Sequence, residues 1–262
     1  MALKYVTGNL ITSATLDSVS SEDPSGFYDM ENLYNKIQGI PLRFTGKSGE
    51  YVIIDLGADT LVTFAGGYNH NLTTGATVFK LKGYLEVTGK PVDGSEAADW
   101  EDDFTVTSGH KNSFITLSQT MRYWALLLTD AGNSENLELG EFILKIHSSF
   151  TKNFIYPYKE ILRYIRGESI TPYGQRWLNQ KAKIKRFIID FLGATDANLL
   201  AEIQAFFEAI DGDDPFVFIP DDSAAYSWYV HCLSDLEADR VFYNYNNIHL
   251  TLEEQSRGLT LL

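Results

Sequence analysis

Five consecutive residues, Asp99, Trp100, Glu101, Asp102 and Asp103, bring four carboxylates together. Such a group could hold Ca2+ through oxygen ligands, or supply the acid and base of glycoside hydrolysis. The run lacks the alternating D-x-D-x-D-G order of a calcium loop, and consecutive carboxylates are ordinarily solvated charge, so a solvated loop ranks first, Ca2+ second and catalysis last. Tyr68, Asn69, His70 and Asn71 combine an aromatic face with neutral donors and acceptors, the chemistry that a sugar ring and its hydroxyls need. Asparagines in a turn also satisfy their own backbone, and that reading ranks ahead of sugar binding. Trp100 is the candidate for an exposed stacking ring, whereas Trp124 stands in a strand apolar on both faces and is expected to be buried. Lys181, Lys183 and Lys185 are two apart, so on a strand their ammonium groups share one face. That ridge reads either as an assembly surface for an acidic neighbouring subunit or as protection of a sheet edge.

Other catalytic patterns are missing from the sequence. There is no Ser-His-Asp order, glycine-rich phosphate loop or nucleophile elbow, and the five histidines lack metal-ligand spacing. Cys232 is the one cysteine and cannot form an internal disulfide; on a strand face it reads as a small buried hydrophobe. A chain of 262 residues has room for two domains, and 44% hydrophobic with 13% aromatic residues is ample for packed cores. A net charge of -14 argues against sequence-specific nucleic-acid binding, which depends on a basic surface. No apolar run approaches the ~20 residues that span a bilayer, and no leader precedes a cleavage site. Neither membrane insertion nor export by a signal peptide is expected.

The elements that must position these groups fall into two sets. After a polar, irregular entry to about Pro41, short alternating runs continue to about Ile146 without a helical period, which predicts a β-sandwich over 1–147. Residues 148–262 read differently. A helix is predicted from Thr195, its N-cap, to Ile210, with Leu199, Ile203, Phe206 and Phe207 on its apolar stripe and Gly212 as its stop. Tyr226, Trp228, Val230 and Cys232 alternate with Ser227, Tyr229 and His231. Asn246-Asn247 is predicted to turn a hairpin between 240–245 and 248–253. The expected fold class is mainly β, a sandwich followed by a small antiparallel barrel or sheet with one packed helix at 195–210.

Two resemblances add to this. EYVIIDLG at 50–57, NHNLTTGATVFKLKG at 69–83 and RYWALLLTDAGNSENLELGEFIL at 122–144 resemble the discoidin or galactose-binding-like sandwich. In that family the loops at one end bind sugars, lipid headgroups or protein surfaces. IRGES and GQRW in the connector, DPFVFIP, the aromatic strands and the terminal LTLEE resemble the tail-tube-derived barrel of distal tail proteins of long-tailed phages. In that family the outward domain follows the barrel, whereas here the sandwich precedes it. The resemblance implies a structural virion protein of the tail tip or baseplate, made in the host cytoplasm. It would form a homo-oligomeric ring, a trimer or hexamer, against other phage tail proteins, and present the sandwich for attachment or decoration, with a host surface glycan as a further partner. No enzyme activity and no resident cofactor are expected. A free-standing carbohydrate-binding module is the alternative, and a hydrolase using the acidic cluster is the third class.

Overall fold

The computed structural model describes residues 3–107, 110–151, 158–170, 176–194, 197–211, 214–220, 227–234, 238–242 and 245–255. The chain is mainly β and contains several antiparallel strand pairs, and the described residues contain one α-helix. It divides into two compact units. One comprises Gly8–Ser148 with Ala225–Ser227; the other comprises Met1–Thr7, Ser149–Ala224 and Trp228–Leu262. The first seven residues, expected with the sandwich, belong to the other unit. Local periodicity in Lys4–Thr7, strand β1, cannot say which sheet it joins, because its partner lies some two hundred residues away, at 216–219.

The sandwich unit runs through β2 (Leu16–Val19), β3 (Leu42–Arg43), β4 (Glu50–Tyr68), β5 (Val78–Tyr84), β6 (Trp100–Asp103), β7 (Asn112–Thr129), β8 (Glu138–Leu139) and β9 (Glu141–Lys145). Its larger sheet has the order β2-β4-β7-β5-β6, with β9 also on β4, and β3 pairs β8 in a second, two-stranded sheet. The 19-residue β4 and 18-residue β7 stay paired along their length, with register shifts between Asp55 and Thr60 and between Val62 and Phe64. Shifts of that kind bend a strand and strengthen its twist, which lets both halves of β4 serve one core. Val52 and Ile54 from the first half and Val62 and Ala65 from the second pack in the same cluster as Leu42 and Leu139 of the small sheet. Ile53, Tyr84, Tyr123 and Ala125 form a second buried cluster on the other side of the ladder. The continuous apolar run in YVIID and YWALLL follows, since both faces of these strands are covered.

After β10 (Ser148–Ser149), which straddles the division, the other unit adds β11 (Lys159–Ile170), β12 (Arg176–Ala194), helix α1 (Ala197–Ala209), β13 (Phe216–Ile219), β14 (Trp228–Cys232), β15 (Ala238–Phe242) and β16 (Tyr245–Glu254). The sheet order is β10-β1-β13-β14-β16-β12-β11, with β15 also on β16. Leu199, Ile203, Phe206 and Ile210 are buried as the helical stripe predicts, while Phe207 is only half-buried. Phe206 is the anchor: its ring meets Tyr5, Phe150 and Phe216 at centroid distances of 4.9, 5.7 and 4.9 Å. The proposed cap Thr195 and stop Gly212 lie outside the described residues, as does Tyr226.

Trp228 and Val230 on one face of β14 and Tyr229 on the other are all buried, and β14 lies between β13 and β16. Two expectations change here. The 240s hairpin exists, but Asn246 and Asn247 lie inside β16, opposite Arg240 and Asp239, and the connection falls at 243–244, outside the described residues. Register on β12 decided the turn, since Asn246 also pairs with Ala194. Finally, β11 pairs Ile165 with Ala182 and Arg166 with Gln180, so Lys181 is the extra residue of a bulge. The two-residue alternation breaks there, and Lys181 does not share the strand phase of Lys183 and Lys185.

Candidate functional site

The loop Tyr68–Asn71 turns its side chains inward. Tyr68 and His70 have no exposed surface. The Tyr68 hydroxyl shares a 2.8 Å hydrogen bond with Ser227 Oγ, and burial holds the phenol far above its ordinary pKa. Ser113 Oγ donates to the Thr105 carbonyl at 2.8 Å, so it accepts from His70 Nε2 at 3.1 Å. Asn69 adopts φ 54°, a left-handed conformation that asparagine tolerates, and its Nδ2 donates to Gln38 O at 2.6 Å. Gly140 passes so close that a β-carbon there would stand 2.5 Å from the same carbonyl oxygen, which only glycine avoids. Asn71 works for β8: its Oδ1 accepts the Glu138 N–H at 2.9 Å and its Nδ2 donates to Asn136 O at 2.7 Å. These side chains position other residues; Tyr68 and His70 offer no surface to a ligand.

The acidic run is an edge strand, β6, rather than a loop. Its register sets Glu101 opposite Lys82 and Asp103 opposite Lys80, opposite charges across a ladder. Lys80 Nζ stands 2.8 Å from Glu101 Oε1 and 3.8 Å from Asp103, and that pairing holds the Glu101 carboxyl below its usual range. Asp99 accepts the Leu85 N–H at 2.9 Å and Asp102 the Asp103 N–H at 2.9 Å. Each carboxylate is thus aimed at its own neighbour, and among the described residues no three His, Cys, Asp or Glu side chains group as a metal site. Trp100 is half-buried, packing edge-on to the fully buried Trp124 at 5.8 Å. Arg122 is clamped to Asp55 by Nε and Nη2 at 2.9 and 3.1 Å and reaches Glu86 at 2.6 Å.

What Asn71 positions is a constellation that the sequence did not single out. Leu42 and Leu139 of the β3–β8 pair go into the core, which sends their neighbours Arg43 and Glu138 to the other side. Arg43 Nε and Nη2 both reach Glu138 Oε1, at 2.7 and 2.6 Å, and Nη1 lies 3.8 Å from Asp23 Oδ2. The guanidinium lies over the Tyr28 ring at 3.7 Å, while the Arg43 N–H donates to Tyr28 O at 3.1 Å. Phe27, edge-on to Tyr28 at 5.3 Å, leaves 62% of its surface in solvent. Asp29 fixes the next turn by accepting the Glu31 N–H at the start of a 3-10 helix, Met30–Leu33. Partial burial disfavours the Arg43 charge, but the Glu138 hydrogen bonds outweigh it and keep the guanidinium protonated. Hydrogen bonds from Ser25 hold the Asp23 carboxyl below its ordinary range. An exposed ring beside a stacked guanidinium and two carboxylates can stack on a sugar face and bind its hydroxyls. The signal in the sequence was the adjacent aromatic pair in PSGFYDMEN, within an entry that shows no periodicity.

No protein-family model matches the sequence, and no curated protein matches it. Solved structures with a similar course include a lectin domain of lectinolysin complexed with Lewis B antigen, 14% identical with a TM-score of 0.42 over 54% of this chain and 98% of that one. A Streptococcus pneumoniae fucose binding module is 16% identical with a TM-score of 0.39, over 53% and 95% of the two chains. Chitosan-binding module 2 of a Paenibacillus sp. IK-5 chitosanase/glucanase, in complex with chitotriose, is 13% identical with a TM-score of 0.39, over 52% and 99%. Likeness at this level carries no functional argument. Nothing in these comparisons supports the tail-tip assignment.

Proposed function

We propose that this chain is a non-catalytic carbohydrate-recognition protein whose sandwich unit engages a saccharide at Phe27, Tyr28, Arg43 and Glu138. The observation that carries this is the Phe27 ring, 62% exposed beside a guanidinium stacked on Tyr28 at 3.7 Å. An aromatic ring with most of its surface in water forfeits burial free energy unless something covers it, and the groups beside it suit vicinal hydroxyls. A glycan array probed with the purified full chain tests the reading. Binding to a defined glycan set is expected, with Phe27→Ala losing at least tenfold in affinity at an unchanged melting temperature. An array without signal at high protein concentration, or a Phe27→Ala protein that binds as well as the parent, would sink it.

A second reading is a structural virion protein of a phage tail tip, oligomerising through residues 148–262. Its support is the sequence resemblance of that part alone. Electron micrographs of the purified chain should then show rings of three or six copies; dispersed small particles at every concentration would count against it.

A further inference from the structure

With 62% of its surface in solvent, Phe27 is held less by packing than by its backbone. Its N–H donates to Ser25 Oγ at 3.3 Å, within its own turn. Its carbonyl accepts from Asn32 Nδ2 at 3.0 Å, a contact that reaches it from outside that turn. The same nitrogen donates to Pro41 O at 3.3 Å, two residues before Arg43. One amide thus ties the peptide joining Phe27 to Tyr28 to the residue that enters β3. Asn32 is 7% exposed and sits in the 3-10 helix beside Leu33, which is fully buried in the sandwich core, so it reaches both carbonyls from a fixed base.

The direction of that amide is dictated by its neighbours. The Ile37 N–H can only donate, and it does so to Asn35 Oδ1 at 2.7 Å. Asn35 therefore turns its Nδ2 to Asn32, whose Oδ1 accepts at 2.8 Å. Asn32 is left with its Nδ2 for the two carbonyls, which can only accept. A flipped amide at either position would set like atoms against each other, so the chain from Ile37 to Phe27 has one consistent sense. The loop is also stitched to Arg43 itself, whose N–H donates to Tyr28 O at 3.1 Å and whose carbonyl accepts the Asp23 N–H at 3.0 Å. Phe27 lies between those two points, and its carbonyl is left to Asn32.

We propose that Asn32 is the positioning residue of the saccharide site, fixing the Phe27 ring against the Arg43 guanidinium, and that Asn35 sets its direction. The role rests on the saccharide reading above, but the geometry can be read without a sugar. 4-Fluorophenylalanine placed at position 27 alone gives one fluorine resonance, displaced by the Tyr28 ring that lies edge-on at 5.3 Å. In Asn32→Ala and in Asn35→Ala that line should move toward the position of the free amino acid. Asn35 is only half-buried, so its variant should fold even if Asn32→Ala does not. On the glycan array both variants should need roughly tenfold more protein for half-saturation of each glycan that the parent binds, because a ring that must be ordered on binding forfeits affinity. Lys82→Met is the control, since the Lys82 ammonium likewise donates to two carbonyls of one loop, Gly94 O at 2.8 Å and Glu96 O at 3.0 Å. It should lower the melting temperature and leave both readings at the parent's values. A fluorine line unmoved in both variants, array binding equal to the parent's, or an equal loss in Lys82→Met would overturn the positioning role. An array blank for the parent would sink the saccharide reading, and with it this role in recognition, whatever the fluorine line shows.

Discussion

Glu141 shows how much one side chain can carry. It is 1% exposed at the start of β9, and its Oε2 accepts the backbone N–H of Lys36 at 3.1 Å. Lys36 itself sits at φ 65°, so the loop is held in a left-handed turn against this carboxylate. Burial pushes the Glu141 carboxyl well above its ordinary range, and the hydrogen bonds from Lys36 and Asn9 recover only part of that. The sign follows from linkage: a raised folded pKa means stability that is fully present below the usual glutamate range of ~4.3 and lost as pH rises through the folded value. Glu141→Gln keeps the shape and removes the buried charge. The variant should melt higher than the parent near neutral pH and lose that advantage near pH 4; parallel melting curves across this range would contradict the assignment. The same scale explains Tyr68 to Asn71. Their residue types suit a sugar as well as a turn, and burial decides for the turn.

At the scale of elements, α1 was legible because a helix repeats its face locally, and Leu199, Ile203 and Phe206 had to share one side. How deep each residue lies was not local. Phe206 touches three aromatic rings from β1, β13 and residue 150, whereas Phe207 is half-buried beside it at 5.6 Å. Phe206→Ala should therefore cost on the order of 3 to 5 kcal/mol, and Phe207→Ala clearly less. Equal losses in urea unfolding would mean that the stripe is rotated from the packing described. The lysine ridge was read from alternation alone, and alternation fails where a bulge adds a residue. Lys185 is instead placed over Trp228 at 4.1 Å and beside Glu160, and Lys183 over Tyr164 at 5.6 Å, each stacked on an aromatic ring of its own unit.

For the molecule as a whole, the chain enters one unit with β1, builds the sandwich from Gly8 to Ser148, and returns. The sandwich is thus inserted behind the first strand of the other unit. Residues 8–148 expressed alone should unfold in one cooperative transition, since their core cluster draws on that stretch only. Residues 149–262 alone should be weakened, because the entry segment contributes the buried Leu3 and Val6, each worth roughly 1.5 to 3 kcal/mol, and its strand β1 lies against β13. Fusing residues 1–7 back through a flexible linker should recover the loss. A fragment 149–262 as stable without β1 as with it would show that the strand is dispensable.

Sequence alone determined what repeats along the chain: the β content, the helix and its apolar stripe, and a pair of adjacent strands in the 240s. Each follows from spacings of two or 3.6 residues, which neighbours in sequence enforce. Tertiary structure decided what depends on distant partners. The membership of β1, the inward turn of Tyr68 and His70, the break at Lys181 and the site itself are of this kind. Arg43 and Glu138 are separated by 95 residues, and nothing short-range in either segment marks them as a pair. They meet because Leu42 and Leu139, one position away in each strand, both had to leave water.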